Sequence, residues 1–92
     1  MNVEYTGYFK KDMKRIKRRS IKSYNKVKRF IDDYFVNGNA MIPTEYNPHK
    51  LSGNYKSHWE CHIESDTLLV WINRKCNTVI MIRCGTHSDL FR

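Results

Sequence analysis

The sequence has no apolar run of the roughly 18 residues that would suggest a membrane span, and Met1-Asn2-Val3-Glu4-Tyr5 lacks the apolar core and cleavage site of a signal peptide. A cytoplasmic location without membrane contact is expected. Cysteine is scarce and odd in number: Cys61, Cys76 and Cys84 make no disulfide framework, so three free thiols in a reducing compartment are expected. None of them follows a glycine-rich turn or opens a helix, which speaks against a thiolate nucleophile. No Gly-x-x-x-x-Gly-Lys loop is present to cradle a nucleotide phosphate. Internal repeats and low-complexity segments are also missing. Ninety-two residues suffice for one domain and not for two, so a single domain over residues 1–92 is expected, with no linker.

Acidic residues are the other shortage. Nine Asp and Glu face 17 Lys and Arg, leaving a formal charge of +8 and a pI near 9.6, a balance that suits a polyanion or an acidic protein partner. Between Lys10 and Arg29 the cations are interrupted by a single acid, Asp12. This stretch reads either as a solvated helix face or as a surface for polyanions.

The pattern along the chain gives an α+β order. Val3–Thr6 suits an edge strand. Phe9, Met13 and Ile16 recur at helical spacing among lysines and arginines, and the phase restarts after Arg19-Ser20 with Tyr24, Val27, Ile31, Tyr34 and Phe35. This predicts a helical hairpin ending at Asn37-Gly38-Asn39, where Gly or Asn can supply a left-handed cap. Residues 40–55 hold both prolines and no periodicity, and read as a long ordered loop. Trp59, Cys61 and Ile63 then alternate with His58, Glu60, His62 and Glu64, which places His62 on the polar face of a half-exposed strand. A turn at Ser65-Asp66, an apolar strand over Thr67–Ile72, a turn over Asn73–Asn77 and a strand over Thr78–Cys84 complete an antiparallel meander. The expected fold is a short N-terminal strand and a two-helix hairpin packed on one face of a small antiparallel sheet, the other face being left for a ligand.

In this arrangement His62, Asp66 and His87 converge at the ends of neighbouring strands, with His49 in the loop before them. Imidazole titrates near neutrality and can both accept and deliver a proton. Cleavage of RNA through its own 2′-hydroxyl needs a base, an acid and a cation for the phosphate, and two histidines, an aspartate and Arg83 meet that need. Arg83 also reads as a partner for Asp66 or Asp89. A zinc site from His58-x-x-Cys61 and Cys84-x-x-His87 is disfavoured, because residues three apart on a strand face opposite sides.

Several blocks then point to a family. Phe9-Lys10-Lys11-Asp12-Met13-Lys14, Tyr46-Asn47-Pro48-His49-Lys50-Leu51-Ser52-Gly53, Glu60-Cys61-His62-Ile63, Asp66-Thr67-Leu68-Leu69-Val70 and Arg83-Cys84-Gly85-Thr86-His87-Ser88-Asp89-Leu90-Phe91 run in order over almost the whole chain. Together they resemble the YafQ-type branch of the RelE/ParE toxin superfamily. The resemblance implies a RelE-like fold and a type II toxin–antitoxin toxin: an endoribonuclease that needs no metal or other cofactor and cuts messenger RNA in the ribosomal A site. It makes His49, His62, Asp66 and His87 the catalytic set, with Arg83 and Phe91 against substrate. Phe91 would stack on a base or hold His87; in a generic protein it would plug the core. Lys10, Lys11, Lys14, Arg15, Lys17 and Arg18 would contact RNA phosphates, and a cognate acidic antitoxin could wrap the same surface and bring the chain to DNA. Two departures from the family pattern, Thr67 and Cys84, bear on substrate preference. The alternatives are a non-catalytic basic nucleic-acid-binding module and a degenerate toxin that acts with its antitoxin as a co-repressor.

Overall fold

The computed structural model describes residues 1–91, with the side chain of Tyr55 set aside. Strand β1 (Asn2–Tyr5) leads into helices α1 (Gly7–Arg19) and α2 (Ile21–Ile31). Thr6 starts α1 by accepting the Phe9 N–H on its hydroxyl oxygen, and the same hydroxyl donates to the Ile82 carbonyl at 2.8 Å, tying the helix start to a distant strand. Ser20 explains the break in phase at Arg19-Ser20. Its N–H closes α1 on the Ile16 carbonyl, and its hydroxyl caps α2 by accepting from Ser23 N–H.

The helix then widens into a π turn over Asp32–Val36 instead of stopping on a left-handed Gly or Asn. The left-handed residue is Ala40, at φ 62°. Gly38 is needed for another reason: a Cβ there would lie 2.8 Å from the carbonyl oxygens of both Asp33 and Tyr34.

The segment expected to be a long ordered loop carries short regular elements. It holds one-turn 3-10 helices at Thr44–Tyr46 and Gly53–Tyr55 and a two-residue strand, β2 (His49–Lys50). The meander follows as β3 (His58–Glu64), β4 (Thr67–Arg74) and β5 (Thr78–Gly85), before a last helical turn, α3 (His87–Leu90). All five strands form one sheet in the order β1-β5-β4-β3-β2. The expected α+β layers are present, with one difference: β1 joins β5 in parallel, so the sheet is mixed. The crossover through α1 and α2 carries the chain across the meander and makes this parallel pairing possible.

The alternation in β3 works as expected. Trp59, Cys61 and Ile63 face the helices, in a core with Phe9, Met13, Ile16, Val27, Phe30, Phe35, Leu69, Trp71 and Met81. Phe35 meets Trp71 edge to face at 5.2 Å between ring centroids. The opposite face is not bare. Leu68, Val70 and Leu90 form a second small cluster there, with Leu51 and Ile82 against it, and this cluster is the floor on which the polar residues of that face stand.

Candidate active site

Register brings the polar residues together. His49 on β2 lies across from Glu60 on β3, Glu60 across from Val70 on β4, and His62 across from Leu68. All of them therefore point away from the helices. A bulge between His62 and Glu64 and the Ser65-Asp66 turn bring Asp66 round toward the start of α3, where His87 stands as the first helical residue. The Asp66 carboxylate accepts the His87 backbone N–H at 3.2 Å and lies 3.3 Å from ring Nδ1 through the same oxygen.

The three imidazoles form a row. Ring centroids are 6.3 Å apart for His49 and His62 and 6.0 Å for His62 and His87, and Phe91 follows at 6.2 Å from His87. Phe91 is 38% exposed, so it flanks the histidine rather than plugging the core. At the other end, Asn47 has left-handed backbone and turns its carbonyl onto His49, which donates to it from Nδ1 at 2.7 Å.

Glu60 is the member that sequence reasoning missed. The alternation in β3 puts it on the polar face without pointing to a role, yet its Oε1 lies 3.3 Å from His49 Nε2 and 3.7 Å from His62 Nε2. Its side chain is 6% exposed, against 60% for His87 and 62% for Asp66. The signal available was its place two residues before His62 on the same strand face. What hid it was β2, two residues long and without periodicity.

Arg83 pairs with neither Asp66 nor Asp89. Its Nε and Nη2 donate to the two oxygens of Asp12 at 2.7 and 3.1 Å. Asp12 also accepts from Arg15 Nη2 at 2.8 Å and from the Cys84 backbone N–H at 3.0 Å. Arg15 is thus an internal partner rather than an outward phosphate contact, while Lys10, Lys11, Lys14, Lys17 and Arg18 are exposed as expected. The cysteine histidine ring does not assemble, because Cys61 and Cys84 are buried under the helices while His87 is exposed on the far face. Burial, with the Glu60 charge adding to it, pushes the Cys61 thiol up to about 12, and burial pushes Cys84 up as well, so neither is a thiolate nucleophile.

A second ionic group holds α3 in place. Asp89 forms a capping box with Thr86 and accepts from Arg19 at 2.9 and 3.3 Å, with Arg15 Nε at 3.7 Å. A Cβ at Gly85 would come within 2.9 Å of Asp89 Oδ2, so glycine is what lets this carboxylate sit so close to β5. Burial alone would raise the Asp89 carboxyl, but the Arg19 hydrogen bonds, the Thr86 N–H and hydroxyl interactions and the Arg15 charge together hold it at about 2. The depressed value means that the unfolded chain binds the proton first. Asp89 therefore adds stability that is complete above the ordinary Asp value of about 3.9 and is lost as pH falls through about 2. Acid unfolding followed by circular dichroism should show this loss in the wild type, and Asp89→Asn should flatten the pH dependence in that window; an unchanged slope would contradict the assignment.

Residues 1–92 match the family described as bacterial toxin of type II toxin–antitoxin system, YafQ. The chain belongs to the YafQ toxin family. A curated relative, the mRNA interferase toxin YafQ of Escherichia coli strain K12, is 31% identical over 91 residues, covering 98% of this chain and 95% of that one. The crystal structure of YafQ from Escherichia coli strain BL21(DE3) superposes with a TM-score of 0.86 at 30% identity, covering 99% and 98% of the two chains. YafQ in the Escherichia coli DinJ–YafQ complex superposes at 0.83 with 31% identity, over 99% and 98%. The family places the chain among type II toxins, and the mixed sheet with its packed helices is shared with those structures.

Proposed function

We propose that the chain is an endoribonuclease toxin that cuts messenger RNA in the ribosomal A site by acid/base chemistry without a metal, and so arrests translation. The observation that carries this reading is the row of His49, His62 and His87 on the open sheet face, with Asp66 against the last ring. An imidazole that donates Nδ1–H to Asp66 presents Nε2 to the reactant, where it can take a proton from the 2′-hydroxyl or give one to the departing 5′-oxygen. His87 is the proton-transfer group in this reading. His49 and His62, further along the row, position the scissile phosphate and offset its charge. Phe91 beside His87 offers a ring face on which a base can stack.

Arg83 serves the same site at one remove. With Nε and Nη2 engaged by Asp12, that edge of the guanidinium orders the end of β5 instead of forking a phosphate. Lys10, Lys11, Lys14, Lys17 and Arg18 contact ribosomal RNA phosphates. A cognate antitoxin that neutralises the toxin has a fitting surface between the helices. There a groove of about 440 Å³ with an apolar floor including Phe9, Met13 and Ile31 is rimmed by Lys10, Lys14 and Lys28, which matches an acidic amphipathic segment.

Purified protein added to ribosomes programmed with a defined messenger should produce a cut in the A-site codon, leaving a 2′,3′-cyclic phosphate or the 3′-phosphate formed from it. The rate should be unchanged by excess chelator once the ribosomes' own magnesium requirement is held constant. Cleavage that disappears on removal of a transition metal would overturn the metal-free mechanism, and an intact messenger would overturn the nuclease reading.

A further inference from the structure

Glu60 is a carboxylate with 5% exposure beneath a row of histidines, where a buried charge is costly unless it is paired. Its Oε1 meets the Nε2 atoms of His49 and His62 rather than solvent. The strands around it define its surroundings: β2 presents His49, its own strand presents His62, and β4 presents the apolar Val70 across the ladder. A buried carboxylate shared by two rings of one site has a function that the nuclease scheme does not yet use.

Both nitrogens of His49 have a partner. His49 Nδ1 donates to the Asn47 carbonyl at 2.7 Å, and its Nε2 lies 3.3 Å from Glu60 Oε1. The ring is thus held from two sides, by a backbone carbonyl on one and by the buried carboxylate on the other. His62 Nε2, at 3.7 Å from the same oxygen, is at ion-pair distance rather than hydrogen-bond distance.

We propose that Glu60 is a positioning residue whose buried carboxylate, shared between His49 and His62, fixes the orientation of both rings toward the scissile phosphate. This rests on the nuclease reading given above. It separates the site into an exposed end, His87 with Asp66, and an end held on a buried carboxylate, His49 and His62 on Glu60.

The test is Glu60→Gln, which keeps the shape of the side chain and removes its charge. On programmed ribosomes kcat should fall about 10- to 100-fold, the penalty expected for misplaced groups. The apparent KM for the ribosome complex should change by less than about threefold. Nitrogen–proton spectra of the histidine rings supply a second readout, compared between the unmodified protein and the variant. The variant should shift the His49 and His62 signals and leave those of His87 in place. If the glutamine variant loses its melting transition, Glu60→Asp tests the same positioning by keeping the charge and drawing the carboxylate one methylene back from both rings. A kcat within about twofold of the unmodified protein, or unchanged His49 and His62 spectra, would overturn the proposal. Failure of the unmodified protein to cut messenger would instead sink the nuclease reading, and the spectra would still decide the role of Glu60.

Discussion

Replacing His87 with alanine should lower the rate of messenger cleavage by about 10²- to 10⁴-fold, the usual range for removal of a general acid or base. The side chain is 60% exposed and its described neighbours, Asp66, His62 and Phe91, line the open face of the site, so the melting temperature should hardly move. The backbone N–H of His87 still reaches Asp66 in the variant, which keeps the start of α3 in place. Cleavage measured on programmed ribosomes, beside a thermal melt of the same preparation, separates loss of chemistry from loss of fold. A variant that cuts at the full rate would show that the proton-transfer end of the site lies elsewhere.

Asp12→Ala should have the largest effect on stability. Its carboxylate is 1% exposed and accepts from Arg15, from two nitrogens of Arg83 and from the Cys84 backbone N–H. Alanine leaves these donors behind without their acceptor, and breaking a buried pair of this kind destabilises by about 3–5 kcal/mol. In a domain of this size each kcal/mol moves the midpoint by about 4–8 °C. A fall of roughly 15–30 °C in the melting temperature is therefore expected, with activity lost in proportion to the unfolded fraction. A shift of less than about 5 °C would mean that the guanidinium groups find water or other partners cheaply.

Asp12 also marks where sequence reading reaches its limit. It lies three residues after Phe9 and four before Ile16, on the apolar stripe of α1, and that position among so many exposed cations was the available sign of burial. What the stripe could not say is which strand the helix would lie against, and so which arginine would meet the carboxylate. The pairing of Arg83 with Asp12 follows from α1 docking along β5, a contact more than seventy residues apart in the chain. Features set by near neighbours were legible: the break at Ser20, the two faces of β3, and the meander that draws His62, Asp66 and His87 together. Features set by distant pairing were not. Four residues of β1 carry no mark of a parallel partner. Two residues of β2 carry no periodicity, so the position of His49 over Glu60 could not be read even though both residues were in view.

The parallel pairing of β1 has a consequence for the birth of the molecule. β5 lies between β1 and β4, so the first strand made has no neighbour in the sheet until Thr78–Gly85 has been synthesised. Contacts that span nearly the whole sequence close late, because the entropy of the intervening chain is lost before they form. His87 follows immediately after that strand. The growing polypeptide therefore has no assembled row of histidines until β5 and the start of α3 have both been made.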